Sequence, residues 1–178
     1  MSQEVSEAKY QAVLEMRAQA LAQAPTAREE RRLAATVALV GVGSEVFGVP
    51  VAGMSEIVRT PPVTPLPGLP AWLPGIVQFR GEVLSAVSLA RWFGLGESGP
   101  EPYLVVLAGF EVPLGLLVGS VLGFRDVFHD ELAAGLHGAE QGRRPVTQTT
   151  RDLVSLLDLA ALVRSPDLRL TGRSPTSG

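Results

Sequence analysis

Hydrophobic and polar positions along this chain fall into two textures. Over residues 2–24, Tyr10, Val13, Leu14, Ala20 and Leu21 recur near one face at helical spacing, which predicts an amphipathic helix. Glu4 and Glu7 lie early in it and Arg17 late, as the helix dipole favours. Pro25 and the charged run AREERR end it. Two roles are open to such a helix: packing on its own domain, or acting as a detachable arm that docks a partner.

From Thr36 the pattern turns to short β-type runs. ATVALVGVG and EVFGVPV are separated by Gly43-Ser44, the tight glycine turn of a hairpin. MSEIVRT follows, and then PPVTPLPGLPAWLPG, with six prolines from Pro61 to Pro74. A segment so poor in N–H donors cannot join a regular ladder, so a stiff loop over a sheet end is expected. GIVQFRGEVLSAVS predicts a second hairpin turning at Arg80-Gly81, and LARWF a short helical turn.

The pattern then repeats. Gly48 in VFGVPV corresponds to Gly115 in PLGLLV, and GEVLSAVSLARWF from Gly81 corresponds to RDLVSLLDLAALV from Arg151. That alignment matches Ser85 with Ser155 and Leu89 with Leu159. Ser88 and Asp158 fall together just before a helical turn, where both residue types can cap free N–H groups. A strand-rich unit ending in a capped turn therefore occurs twice. Two small β-barrels side by side are the natural reading, since closure removes exposed edges; a single sandwich also fits. HDELAAGLHGAEQGRRP, about 129–145, is a polar insertion. Residues 165–178 are expected to be a disordered tail.

Composition narrows the function. The chain is 46% hydrophobic and 19% charged, with net charge -3, which suits a globular domain. No Lys/Arg run marks a nucleic-acid face. Without cysteine, disulfides and thiolate-held metals are excluded. No apolar run is long enough for a membrane span, and MSQEVSEAKYQ does not read as a signal peptide. His129 and His137 are the only histidines and belong to no HExxH pair. GVGSEVFG lacks the GxGxxG spacing, and a strand follows it where a helix would be needed. No phosphate loop or GxSxG elbow occurs. Asp126, Asp130 and Glu131 are expected to be solvated loop charges. The sequence therefore predicts neither an enzyme nor a bound cofactor or metal.

VTPLPGLPAWLPGIVQFRGEVLSAVSLARWFGL, from Val63 to Leu95, resembles the signature region of CheW-like domains: a Pro-rich loop, an aromatic, a Gly, a strand ending in Leu-Arg-Gly, and a second strand ending in Asp-Leu. FGVPVAGMSEIVR and DLVSLLDLAALV resemble the family's earlier strands and its closing strand and helix. The likeness covers about residues 34–164. It implies a mainly β fold of two five-stranded SH3-like barrels, about 34–100 and 101–164, after an N-terminal helix and linker over 1–33.

The resemblance also implies a non-catalytic adaptor of a chemotaxis-type two-component system. Such an adaptor links the cytoplasmic hairpin of methyl-accepting chemoreceptors to the regulatory domain of a CheA-type histidine kinase. It would be cytoplasmic and peripheral to receptor arrays at the inner membrane, with no nucleic acid as partner and no insertion into the bilayer.

Glu56 and Arg80 match the family's acidic and basic positions and are expected to pair, presenting Arg80 to a partner. Gly81 beside it supplies a positive φ. Val58 and Leu66, with Val63 and Leu73, are candidates for an apolar docking patch, to which Phe79 adds an aromatic. Trp72 either joins that patch or plugs a barrel end. TPPVTPLP could also serve as a polyproline ligand. Gln78, Phe79 and Ser88 replace the family's Asn, Leu and Asp, and Val118-Gly119-Ser120-Val121 stands where a Val-Asp-x-Val run is common. These changes leave room for a one-partner adaptor of an alternative chemosensory pathway. A small-ligand sensor binding between the barrels is the reading from another class.

Overall fold

The computed structural model describes residues 31–95, 99–133 and 145–169 and, before them, Glu15 alone, in helical conformation. The rest of the helix expected over 2–24, His137 and most of the insertion lie outside the described residues. The described chain runs β1 (Leu33–Val42), β2 (Glu45–Pro50), β3 (Met54–Arg59), β4 (Gly75–Phe79), β5 (Glu82–Ser88), α1 (Leu89–Trp92), β6 (Tyr103–Leu107), β7 (Leu114–Val118), β8 (Ser120–Phe128), β9 (Val146–Thr149), β10 (Ser155–Leu157), α2 (Leu159–Arg164) and α3 (Pro166–Arg169).

The strands form two five-stranded sheets, in the orders β8-β1-β2-β10-β9 and β3-β6-β7-β5-β4. The first is called the split sheet, because its strands come from both ends of the chain. The second is the nested sheet. The expected division at residue 100 is thereby corrected. Tyr103–Leu107 and Leu114–Val118 complete the sheet begun by β3, while β1 and β2 wait for β8 to β10. The chain crosses between sheets at the 3-10 turn Val51–Gly53 and again at Gly119, whose N–H donates to the Gly41 carbonyl at 2.9 Å. Local pattern identifies a strand but not its partner, which is why the exchange was hidden.

The internal repeat is reproduced in register. Parallel pairing sets Ser155 opposite Phe47 and Leu156 opposite Gly48 in the split sheet. It sets Ser85 opposite Leu114 and Ala86 opposite Gly115 in the nested one. The two glycines have one physical reason. A Cβ on Gly48 would lie 2.7 Å from Leu156 Cδ2, and one on Gly115 would lie 2.6 Å from Leu104 Cδ1. Both helical turns are capped as expected, since Ser88 Oγ accepts from Arg91 N and Asp158 Oδ1 from Ala161 N.

Alternation along the strands explains three cores. In β1, Val37 faces a small core with Val127, Val154 and Leu156, while Ala38 and Val40 face the opposite way. In β6, Leu104 and Val106 face a second small core with Val77, Leu84 and Leu117, while Val105 and Leu107 face away. The residues facing away from both small cores form the large central cluster between the sheets, where Phe47 stacks on Phe93 with ring centroids 5.0 Å apart. Burial on both faces accounts for strands that are apolar at every position. Each buried Val, Leu or Phe contributes about 1.5–3 kcal/mol, so the central cluster dominates cohesion.

Neither sheet closes into a barrel by a ladder between its edge strands among the described residues. Isolated bridges span the gaps instead, Thr64 to Ile76 beside the nested sheet and Leu132 to Thr150 beside the split one. The tail also becomes ordered further than expected, because α3 carries Leu168 into the central core.

Candidate partner-binding site

The β4–β5 hairpin builds the site. Phe79 pairs with Glu82, and both residues between them have positive φ, 49° at Arg80 and 82° at Gly81. That is the primed turn favoured by strand twist. Glycine adopts it freely, whereas arginine does so at a cost of roughly 1 kcal/mol. Glu56 lies on edge strand β3, beside a register shift between Met54 and Glu56, an irregularity that re-aims side chains.

The two meet as a two-pronged ion pair. Arg80 Nη1 lies 3.0 Å from Glu56 Oε1, and Nη2 donates to Oε2 at 3.1 Å. The Arg80 guanidinium also stands 5.2 Å from the centroid of the Phe79 ring. The Arg80 side chain is 73% exposed against 27% for Glu56. An exposed pair contributes at most about 1 kcal/mol. What it does is fix the orientation of a cation whose outer face is open.

Glu56, Phe79 and Arg80 line a groove of about 490 Å³, together with Ser55, Leu84 and Val106 and the loop between β6 and β7 that carries Phe110 and Val112. Gly81 sits at its hairpin tip, and Val58 and Phe79 pack against the small core of the nested sheet. Leu66 and Trp72 do not join this group. Leu66 is exposed in the Pro-rich loop. Trp72 packs on the central cluster, edge-on to Trp92 at 4.4 Å. The loop itself is held by a close approach: Thr64 N donates to Ile76 O at 2.8 Å, and a Cβ at Gly75 would collide with the Thr64 carbonyl. Glu82, Phe110 and Val112 were not found from sequence.

A corresponding ion pair ties the split sheet. Arg125 on edge strand β8 binds Asp152, which lies in the turn between β9 and β10. Arg125 Nη2 also reaches Glu131 Oε1 at 3.4 Å, and Arg31 contacts both Asp130 at 3.0 Å and Glu131 at 3.4 Å. Asp126, Asp130 and Glu131 are thus not free loop charges: Asp126 is on β8 and accepts from Thr36 Oγ1 at 2.7 Å. Hydrogen bonds from Arg125 and then Thr150 lower the Asp152 carboxyl to about 2. The bond from Arg31 lowers Asp130 as well.

Ser88 is fully buried, and its Oγ donates to Glu101 Oε1 at 2.6 Å. The space between the sheets, where a sensor would hold its ligand, is filled by the central cluster. Among the described residues no group of three or more His, Asp or Glu side chains could hold a metal ion. No helix among them is long and apolar enough to cross a membrane.

Comparison with known proteins agrees with this architecture. The model of the family described as CheW-like domain matches residues 36–167. The chain therefore belongs to the CheW-like domain family. Protein FrzA of Myxococcus xanthus is 31% identical over 139 residues, which cover 74% of this chain and 87% of that protein. The chemotaxis protein CheW of Treponema pallidum is 29% identical over 140 residues, covering 72% and 81%. The crystal structure of the scaffolding protein TtCheW from Thermoanaerobacter tengcongensis superimposes with a TM-score of 0.65 at 18% identity, over 75% of this chain and 94% of that one. The class defined is a non-catalytic scaffold or adaptor of chemotaxis-type signalling.

Proposed function

We propose that this protein couples the cytoplasmic hairpin of methyl-accepting chemoreceptors to the regulatory domain of a CheA-type histidine kinase, working in the cytoplasm beneath receptor arrays. Its chemistry is binding alone. By holding receptor and kinase in one geometry it shifts the population of active kinase. The observation that carries the reading is the groove of the nested sheet, where Glu56 steers an exposed Arg80 beside a mixed lining that includes Phe79, Leu84, Val106 and Phe110. Arginine and aromatic anchors around an apolar centre are what partner surfaces use.

Titration calorimetry tests it. The full chain, Glu56→Ala and Arg80→Ala are each titrated with the kinase regulatory domain, and separately with a receptor hairpin. Micromolar binding of both partners is expected. Each substitution should weaken binding of at least one partner by about ten-fold, close to 1.4 kcal/mol. Binding of the receptor without the kinase would replace this reading by a one-partner adaptor. Binding of neither would sink the coupling role.

A further inference from the structure

The Pro-rich loop joins β3 to β4, the two edge strands of the nested sheet. Glu56 lies shortly before the loop on one edge, and Arg80 follows the end of β4 on the other. The seam between the edges is therefore bridged by the loop at one end and by the ion pair at the other. Six prolines between Pro61 and Pro74 make the loop stiff but remove N–H groups that could anchor it. Contacts at its two ends hold it instead. Thr60 N donates to Pro102 O at 3.0 Å, and Thr60 Oγ1 to Glu101 O at 2.9 Å. At the far end Trp72 O accepts from Ser88 N at 2.9 Å, and Ala71 O from Arg91 Nη1 at 3.3 Å.

One polar pair links these two sets of contacts. Ser88 Oγ donates to Glu101 Oε1 at 2.6 Å, so the residue that holds Trp72 is bonded to the residue that holds Thr60. The same Oγ accepts from Arg91 N at 3.4 Å, which uses a hydroxyl as donor and acceptor at once. Hydroxyl-to-carboxylate bonds of this length are among the stronger kinds, and Ser88 is fully buried. Ser88 is also the position where the family's pattern has Asp. Here the carboxylate comes from Glu101 and the donor from position 88, whereas an aspartate at 88 would set two carboxylates face to face. With both ends held, Leu69, Trp72 and Leu73 lie against the central cluster, and Trp72 meets Trp92 edge-on.

We propose that Glu101, acting through Ser88, is a positioning residue for the Arg80 site: the pair buckles the two ends of the Pro-rich loop together and so sets how the edges of the nested sheet approach each other. Glu101 touches no partner. It fixes the loop, the loop fixes the edges, and the edges fix the aim of Arg80 beside Glu56. Only the effect on partner binding rests on the coupling role; the seating of the loop does not.

The two tryptophans of the chain, Trp72 in the loop and Trp92 in α1, report the seating directly. Full-length Glu101→Ala, Glu101→Gln, Ser88→Ala, Ser88→Asp and Ser88→Asp/Glu101→Gln are compared by near-ultraviolet circular dichroism and by amide hydrogen exchange over residues 60–73. Far-ultraviolet dichroism checks that each variant is folded. Glu101→Ala and Ser88→Ala should weaken the tryptophan signal and speed exchange about ten-fold, the worth of one hydrogen bond. Glu101→Gln, whose amide oxygen still accepts from Ser88, should stay close to wild type. Ser88→Asp should loosen the loop, and adding Glu101→Gln should restore it, because the glutamine amide donates to the new carboxylate. A loop unchanged in Glu101→Ala, or no recovery in the double variant, would overturn the buckle. Glu101 is half-buried, so its variants decide the matter if a Ser88 variant fails to fold. Calorimetry then uses whichever partner Arg80→Ala weakens. Glu101→Ala should weaken it about five-fold by loosening a preorganised site, with no further loss in the Arg80→Ala background. Equal losses in both backgrounds would overturn the link from Glu101 to Arg80. If the wild type binds neither partner the coupling role fails, while the tryptophan signal and the exchange rates still judge the buckle.

Discussion

The split and nested sheets share strand order, parallel register, capped turn and obligatory glycine. They differ in the sign of the ion pair that ties each one across its open seam. In the nested sheet the edge strand supplies the anion, Glu56, and the hairpin tip the cation, Arg80. In the split sheet the edge strand supplies the cation, Arg125, and the turn the anion, Asp152. What the fold requires is a link between edge and turn, and either polarity provides it. Polarity is therefore free to be set by partners. A positive tip beside a groove marks one sheet, and a negative tip inside a wider ionic network marks the other.

The strongest expected effect concerns what the sheets share. Gly48→Ala and Gly115→Ala should each destabilise by about 1–3 kcal/mol, since a methyl group must displace a packed leucine. Urea denaturation should give equal costs within about 0.5 kcal/mol if the positions are equivalent. A large inequality would show that the repeat is one of chain path and not of packing.

A smaller effect is expected from reversing the nested pair. The double variant Glu56→Arg/Arg80→Glu should keep its unfolding free energy within about 1 kcal/mol of wild type. It should nevertheless lose most of its binding to the kinase regulatory domain in calorimetry. Retained binding would mean that polarity carries no recognition.

The least effect belongs to Asp152. Its folded carboxyl is held near 2, below the ordinary value of 3.8. A depressed carboxylate contributes stability above its unfolded value, and that contribution fades as pH falls from about 4 towards 2. The side chain is 56% exposed, so screening limits the contribution to under about 1 kcal/mol. Thermal melts from pH 5 to pH 2 should fall less steeply in Asp152→Asn than in wild type, with the two curves meeting at the acid end.

Much of this was legible in the sequence because it is local. Turn chemistry placed Arg80-Gly81, cap chemistry placed Ser88 and Asp158, and a two-residue period with apolar runs gave the strands. The pairing of Glu56 with Arg80 came from resemblance and is present in the structure. Non-local features were not legible. Nothing in the spacing of Arg125 and Asp152 predicts that they meet, since their contact depends on each sheet curling until edge and turn approach. Of the two readings of Trp72, packing in the interior is the one that matches its surroundings. Its neighbours are prolines in sequence, but Trp92 and the central cluster in space.

The exchange of strands has a consequence for synthesis on the ribosome. The nested sheet is complete once Val118 has emerged, whereas β1 and β2 are made first and must wait for β8 and β10. Pairing Leu33 with Phe128 closes a long loop, an entropic cost that is met more easily after the nested sheet has folded and drawn the ends of that loop together. The nascent hairpin Leu33–Pro50 therefore spends the middle of translation with two apolar faces uncovered. During that interval the growing chain is most exposed to aggregation and most dependent on chaperones.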